Sequence, residues 1–221
     1  MLAQSSNDSA IIRRRCKSLA EPGHPGREDR VNGICRNVLV MGVCGVGKST
    51  VAGQLADAFG GHYVEGDSYH SADSVASMSR GVPLADRQRW DWLARITRAV
   101  GELNADQAPA FLACSALKAS YRDLLRREMG PLAVIHLRGD PDTIRRRMNA
   151  RSGHFMPPTL LESQLRDLED PDPDTEAPLT EIDIADDIET VLRTAISFCR
   201  RHVAGTGATH DGTVHPKQHV S

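Results

Sequence analysis

The chain has 221 residues, of which 40% are hydrophobic and 25% charged, a balance that fills a sizeable core and excludes a wholly disordered polymer. Its 27 Lys and Arg set against 29 Asp and Glu leave a net charge of -2, so no general positive excess exists for gripping long nucleic acid. No stretch approaches ~18 consecutive apolar residues, which excludes a membrane-spanning helix, and MLAQSSNDSAIIRRRC lacks the apolar centre of a signal peptide. Cys16, Cys35, Cys44, Cys114 and Cys199 are odd in number and widely spaced, which points to free thiols in a reducing compartment and a cytoplasmic protein.

Residues 1–36 are polar and broken by Pro22, Gly23, Pro25, Gly26 and Gly33, and read as an unstructured extension. The run Arg13, Arg14, Arg15 and Lys17 within them reads as a solvated charge cluster. Residues 201–221 read as a polar tail. Its His202, His210, His215 and His219 have no paired cysteines or spaced acids to complete a closed metal site. The expected domain is residues 37–200.

Asn37–Met41 reads NVLVM, an apolar run suited to a buried parallel strand. A glycine-rich turn follows, and then Val51, Leu55 and Phe59 mark one face of a helix over Lys48–Phe59. His62–Glu65 is a short second strand, and Ser74–Arg80 and Asp86–Val100 are predicted helices. Ala110–Cys114 is a third strand and Ala116–Glu128 a helix. Leu132–Leu137 is a fourth strand, after which Asp140 caps a helix that opens on Pro141. Leu160–Leu168 is predicted helical, Leu179–Ile182 a fifth strand, and Ile188, Val191, Leu192, Ala195 and Ile196 the apolar stripe of a last helix. Strands alternating with helices imply an α/β fold, a parallel sheet of five strands covered on both faces, with ligands beyond the carboxyl ends of the strands.

Gly42-Val43-Cys44-Gly45-Val46-Gly47-Lys48-Ser49 matches G-x-x-x-x-G-K-[ST] in full, between a strand and a helix as the phosphate-binding motif requires. Its backbone N–H groups cradle phosphates, Lys48 serves the β- and γ-phosphates, Ser49 holds Mg²⁺, and Thr50 closes the set; the ligand is a nucleotide. Cys44 reads either as a thiol activated by Lys48 and the helix terminus or as a small loop residue, and the second reading is preferred. Glu65 and Asp67 flank Gly66 at the end of the second strand. Phosphoryl transfer needs one acid on the metal side, assigned to Glu65, and one that orients the attacking hydroxyl and takes its proton, assigned to Asp67; ordinary turn acids are the rival reading. His70 contacts substrate or locks its loop. Arg89, beside Trp90 and Trp92, is the chosen guanidinium for a substrate carboxylate. Arg147 and Arg151 share a helical face ahead of Ser152-Gly153, as in a segment that closes over phosphates, with a solvated basic face as the alternative.

LVMGVCGVGKSTVAGQLA, EGDSYH, MSRGVPLADRQRWDWL, ACSALKASYRDLLR, IHLRGD and RSGHFMPPTLLESQLRDLE together make residues 38–200 resemble the gluconate kinases of the thermoresistant gluconokinase type. The phosphate loop is shared by many kinases, whereas the CSALK and GHFMP segments are specific. The resemblance implies a three-layer P-loop kinase fold and phosphorylation of D-gluconate at its 6-hydroxyl by ATP and Mg²⁺, giving 6-phosphogluconate for gluconate use through the pentose phosphate route. It also implies a homodimer. By position it places Asp67, His70, Arg89, Lys118, Arg122 and His154 on the sugar-acid side and Arg147 and Arg151 over the phosphates. Cys44 and Val46 stand where the family commonly has serines, and Gln88, Asp91 and Ser71 depart from its pattern on the substrate side. A shikimate- or nucleoside-phosphate-type kinase is the rival within the class, but it leaves the CSALK and GHFMP segments unaccounted for. A nucleotide-binding scaffold without catalysis is the rival outside it, and the intact Lys48, Ser49 and Asp67 oppose it.

Overall fold

The structure, a computed structural model, describes residues 34–150 and 158–203. Strands β1 (Asn37–Met41), β2 (His62–Glu65), β3 (Ala110–Ala113), β4 (Leu132–Arg138) and β5 (Leu179–Asp183) form one parallel sheet in the order β2-β3-β1-β4-β5. The helices among the described residues are α1 (Lys48–Phe59), α2 (Ala72–Ser79), α3 (Asp86–Leu103), α4 (Ala119–Met129), α5 (Pro141–Ala150), α6 (Pro158–Asp167) and α7 (Ile188–His202).

Every residue of β1 and β3 is buried, as parallel strands covered on both faces require. Period-two alternation then divides the core. Val38, Val40, Phe111 and Ile135 face one layer, where they meet Val51 and Leu55 of α1, Leu161 of α6, and Ala195 and Phe198 of α7. Leu39, Met41, Leu112 and Val134 face the other, against Trp92, Leu93 and Ile96 of α3 and Tyr121 and Leu125 of α4. The connections run from β1 outward past β3 to β2, back to β3, then across β1 to β4. The topological switch therefore lies at β1, and the loop leaving its carboxyl end occupies the crevice where such sheets bind ligands.

Two sequence expectations are corrected. The packed body reaches beyond residues 37–200: the Cys35 N–H donates to the His202 carbonyl at 2.7 Å, and Cys35 and Val203 form a parallel bridge with both residues buried. Arg201 and His202 read as tail but complete, with Arg200, the last turn of α7, where positive charge suits the helix dipole. Residues 116–118 are not helical either. Ala116 has φ +41°, Lys118 is the extended N-cap, and α4 begins at Ala119. The N-terminal extension through residue 33 and the tail from residue 204, with their basic and histidine clusters, lie outside the described residues. Among the described residues, no helix is long and apolar enough to cross a membrane, and Cys44, Cys114 and Cys199 are buried free thiols.

Candidate active site

The loop from Gly42 to Gly47 turns under backbone constraints that its sequence meets. Gly42 has φ +134°, and a Cβ there would sit 2.3 Å from the Leu137 carbonyl oxygen on the neighbouring strand. Gly45 has φ +84°, and a Cβ would lie 2.6 Å from Cγ of Met148, so α5 closes directly over the loop. Val43 and Val46 are buried beneath it, while Cys44, Gly45, Gly47, Lys48, Ser49 and Thr50 line a cleft. Lys48 Nζ reaches back across the loop to the Val43 carbonyl at 2.9 Å, which holds its charge over the cradle. The Cys44 N–H donates to Gln164 Oε1 of α6 at 2.7 Å. Burial pushes the Cys44 thiol above its ordinary range despite the nearby Lys48 charge, so the sulfur is protonated at neutral pH and sits 3.7 Å from Met148 Sδ.

A short turn at the end of β2 carries the acids. Glu65 accepts from the Asp67 N–H at 3.3 Å and from the Tyr63 hydroxyl at 2.5 Å, so it is the cap of that turn. Burial first, then the Glu65 bond, pushes the Tyr63 phenol up to about 12, against a smaller lowering by the nearby Ser49. Ser49, Tyr63 and Glu65 therefore share one corner, and Asp67 lines the cleft beside it. No ready cluster of three or more metal-ligating side chains exists among the described residues.

α3 holds this turn in place. Trp92 Nε1 donates to the Gly66 carbonyl and Arg95 Nε to that of Tyr69, each at 2.7 Å. His70 stacks flat on Trp92, with centroids 4.4 Å apart and planes at 13°, and its Nε2 lies 3.7 Å from Asp67 Oδ1. Burial lowers its pKa, against the pull of Asp67, so the imidazole facing the cleft is neutral. Arg89 lines the same cleft and donates from Nη1 to Asp167 Oδ2 of α6 at 2.8 Å. Ser115 and Tyr121, from the CSALK segment, complete the wall, and the Tyr121 hydroxyl donates to Asp86 at 2.6 Å.

With the glycine loop, Asp67, His70, Arg89 and Tyr121 lining one cleft, comparison with known proteins is informative. No family model matches the chain. It is 40% identical over 153 residues to the thermosensitive gluconokinase of Escherichia coli K12, covering 69% of this chain and 81% of that protein. It is 35% identical over 163 residues to the thermoresistant gluconokinase of the same organism, covering 74% and 93%. The chain belongs to the gluconokinase family. Among solved structures, a gluconokinase from Sinorhizobium meliloti 1021 superposes with a TM-score of 0.66 at 40% identity, covering 78% of this chain and 94% of that one. The three-layer P-loop kinase fold is thus that of the gluconokinases.

Set in the gluconokinase fold, the expected site residues divide. Lys48, Ser49, Asp67, His70 and Arg89 come together in the cleft. Glu65, at the end of β2, does not line the cleft, and three of the expected basic residues do not reach it either. Arg122 is fully buried: Nε and Nη2 bind both oxygens of Glu176 at 2.7 and 2.8 Å, and Nη1 holds the carbonyls of Ala116 and Leu117. With its donors committed it fixes the turn at Ala116 from behind, and its assignment to substrate is corrected to a supporting one. Lys118 is committed to both oxygens of Asp86, at 2.9 and 3.1 Å. Arg147 points away from the loop and donates to the Ile184 carbonyl, while Met148 of the same helix meets Gly45. Arg151 and His154 lie outside the described residues.

The departures from the gluconokinase pattern have local structural uses. Gln88 Oε1 accepts from the Ala85 N–H at the start of α3, and Ser71 caps α2 by accepting from the Ser74 N–H. Gln164 escaped the sequence reading altogether, because an amide inside a helix carries no signal of the loop it caps 120 residues away.

Proposed function

We propose that this chain transfers the γ-phosphoryl group of ATP to the 6-hydroxyl of D-gluconate, giving 6-phospho-D-gluconate and ADP. The observation that carries the reading is one cleft lined together by Lys48, Ser49, Asp67, His70 and Arg89. Family membership supports the choice of sugar acid.

The chemistry needs alignment more than covalent help. The loop N–H groups and the positive end of α1 hold the phosphates, and Lys48 draws charge from them as the terminal group leaves. Asp67, exposed at the rim of the cleft, aligns the hydroxyl and accepts its proton. The Trp92–His70 stack fixes the turn that presents it, and neutral His70 offers the substrate a hydrogen bond without a competing charge. Arg89 provides the guanidinium for the carboxylate at the other end of the sugar acid. Ser49 and Glu65 would hold Mg²⁺, which screens the phosphate charge.

The test is ADP release across a panel of gluconate, shikimate, AMP and glycerate. Gluconate is expected to exceed each of the others by at least ~10²-fold in kcat/KM. Preference for shikimate or AMP would move the chain to another kinase specificity.

A further inference from the structure

The acid-binding wall contains its own carboxylates. Lys118 is held by two contacts to Asp86, which also accepts from the Tyr121 hydroxyl. Arg89 has one ion-pair contact, Nη1 to Asp167 Oδ2 at 2.8 Å, with the neutral Tyr121 hydroxyl beside its guanidinium. Each cation on this side therefore already faces an anion of the protein, and an incoming carboxylate must break one of the pairs. Arg89 lines the cleft and Lys118 does not. The Arg89–Asp167 pair has one contact to lose, against two between Lys118 and Asp86.

Asp167 is the last residue of α6, and α6 is anchored independently of Arg89. Leu161 is fully buried in the core, Gln164 takes the Cys44 N–H of the phosphate loop, and Glu162 pairs with Arg145 of α5. The carboxylate is thus held against Arg89 by the fold, and it competes with the ligand even after being displaced.

We propose that Asp167 is a specificity-determining residue, an internal carboxylate that occupies the substrate guanidinium and sets the affinity for the sugar acid. This rests on the reading of Arg89 as the carboxylate anchor. A substrate carboxylate wins because it can meet the guanidinium with two parallel bonds where Asp167 makes one. A ligand without an anion cannot displace Asp167. The pair therefore lowers the affinity for gluconate and closes Arg89 to neutral polyols.

The test is titration calorimetry of gluconate into the intact chain, its Asp167→Asn variant and its Asp167→Glu variant, with steady-state KM measured alongside. Asp167→Asn removes a charge that is disfavoured at a helix C-terminus, so the variant is expected to fold. It should tighten gluconate by roughly three- to tenfold, the range for one partly exposed ion pair, and lower KM in step. Asp167→Glu should return affinity toward wild type. A purely structural contact would weaken gluconate on removal. Unchanged or weakened binding in Asp167→Asn, with wild-type binding intact, would overturn this inference alone. Absence of gluconate binding by the wild-type chain would overturn the parent reading and this one with it.

Discussion

At the scale of single residues, the proposed mechanism divides its work between two acids set two positions apart. Glu65 is half-buried and tied to its own turn, accepting from the Asp67 N–H and the Tyr63 hydroxyl. Asp67 is exposed on the cleft wall with only a 3.7 Å approach from His70. A carboxylate tied to its own turn suits the metal side, and a solvent-facing one suits a hydroxyl that must come and go. Asp67→Asn keeps the shape but loses the proton acceptor, and kcat is expected to fall roughly 10²–10⁴-fold with MgATP affinity nearly unchanged. Glu65→Gln should instead raise the Mg²⁺ concentration needed for half-maximal rate. A Mg²⁺ series on both variants separates the roles; recovery of the Asp67→Asn rate at saturating metal would exchange them. The loop residues and Asp67 were legible because their chemistry is local in sequence. Arg122 was not, since nothing near it announces Glu176, 54 residues on, and an arginine on an amphipathic helix looks the same whether it meets substrate or a buried partner.

At the scale of elements, continuous apolar runs were enough to place β1, β3 and β4, and the Val51-Leu55-Phe59 spacing was enough for α1. The reading failed where tertiary contacts override periodicity. Ala116 and Leu117 continue an apolar pattern into α4, yet both are buried outside the helix, their carbonyls held by Arg122 and Leu117 further held by the Glu169 N–H. The end of the domain was placed early for the opposite reason, because the basic last turn of α7 hides the buried Val203 that follows it. A chain cut to residues 34–203 should therefore melt within about 2 °C of the full chain and keep its turnover. Cutting to 37–200 removes the Cys35–Val203 bridge and its backbone bond, and should lower the midpoint by roughly 4–8 °C per ~2 kcal/mol lost. Equal melting of the two truncations in scanning calorimetry would show that this corner contributes nothing.

At the scale of the molecule, buried titratable groups make stability depend on pH in one direction. Burial lowers the pKa of His70, facing Asp67, Arg95 and Arg89, and of His136, facing Glu181, Asp170 and Arg138, below the ordinary 6.5. The unfolded chain therefore takes up protons near pH 6.5 that the folded chain refuses, and stability falls as pH drops through that range. Burial works against the charge of Glu176, but its bonds to Arg122 and Arg126 outweigh this and hold it below its ordinary 4.5, so a second loss follows below that pH. Urea midpoints at pH 8, 7, 6, 5 and 4 should be flat above pH 7 and then decline in two stages. A rise between pH 7 and 5 would mean that the histidines gain rather than lose partners on protonation.

The same molecule places two binding walls, built from elements far apart in sequence, on one cleft, and the central claim is that they bring ATP and gluconate together at the 6-hydroxyl. The most direct measurement couples the purified chain, ATP, Mg²⁺ and D-gluconate to 6-phosphogluconate dehydrogenase and follows NADPH against ADP. The account predicts one NADPH for each ADP released, with no signal when gluconate or ATP is left out. ADP release without NADPH, or no turnover at all at millimolar gluconate, would contradict it.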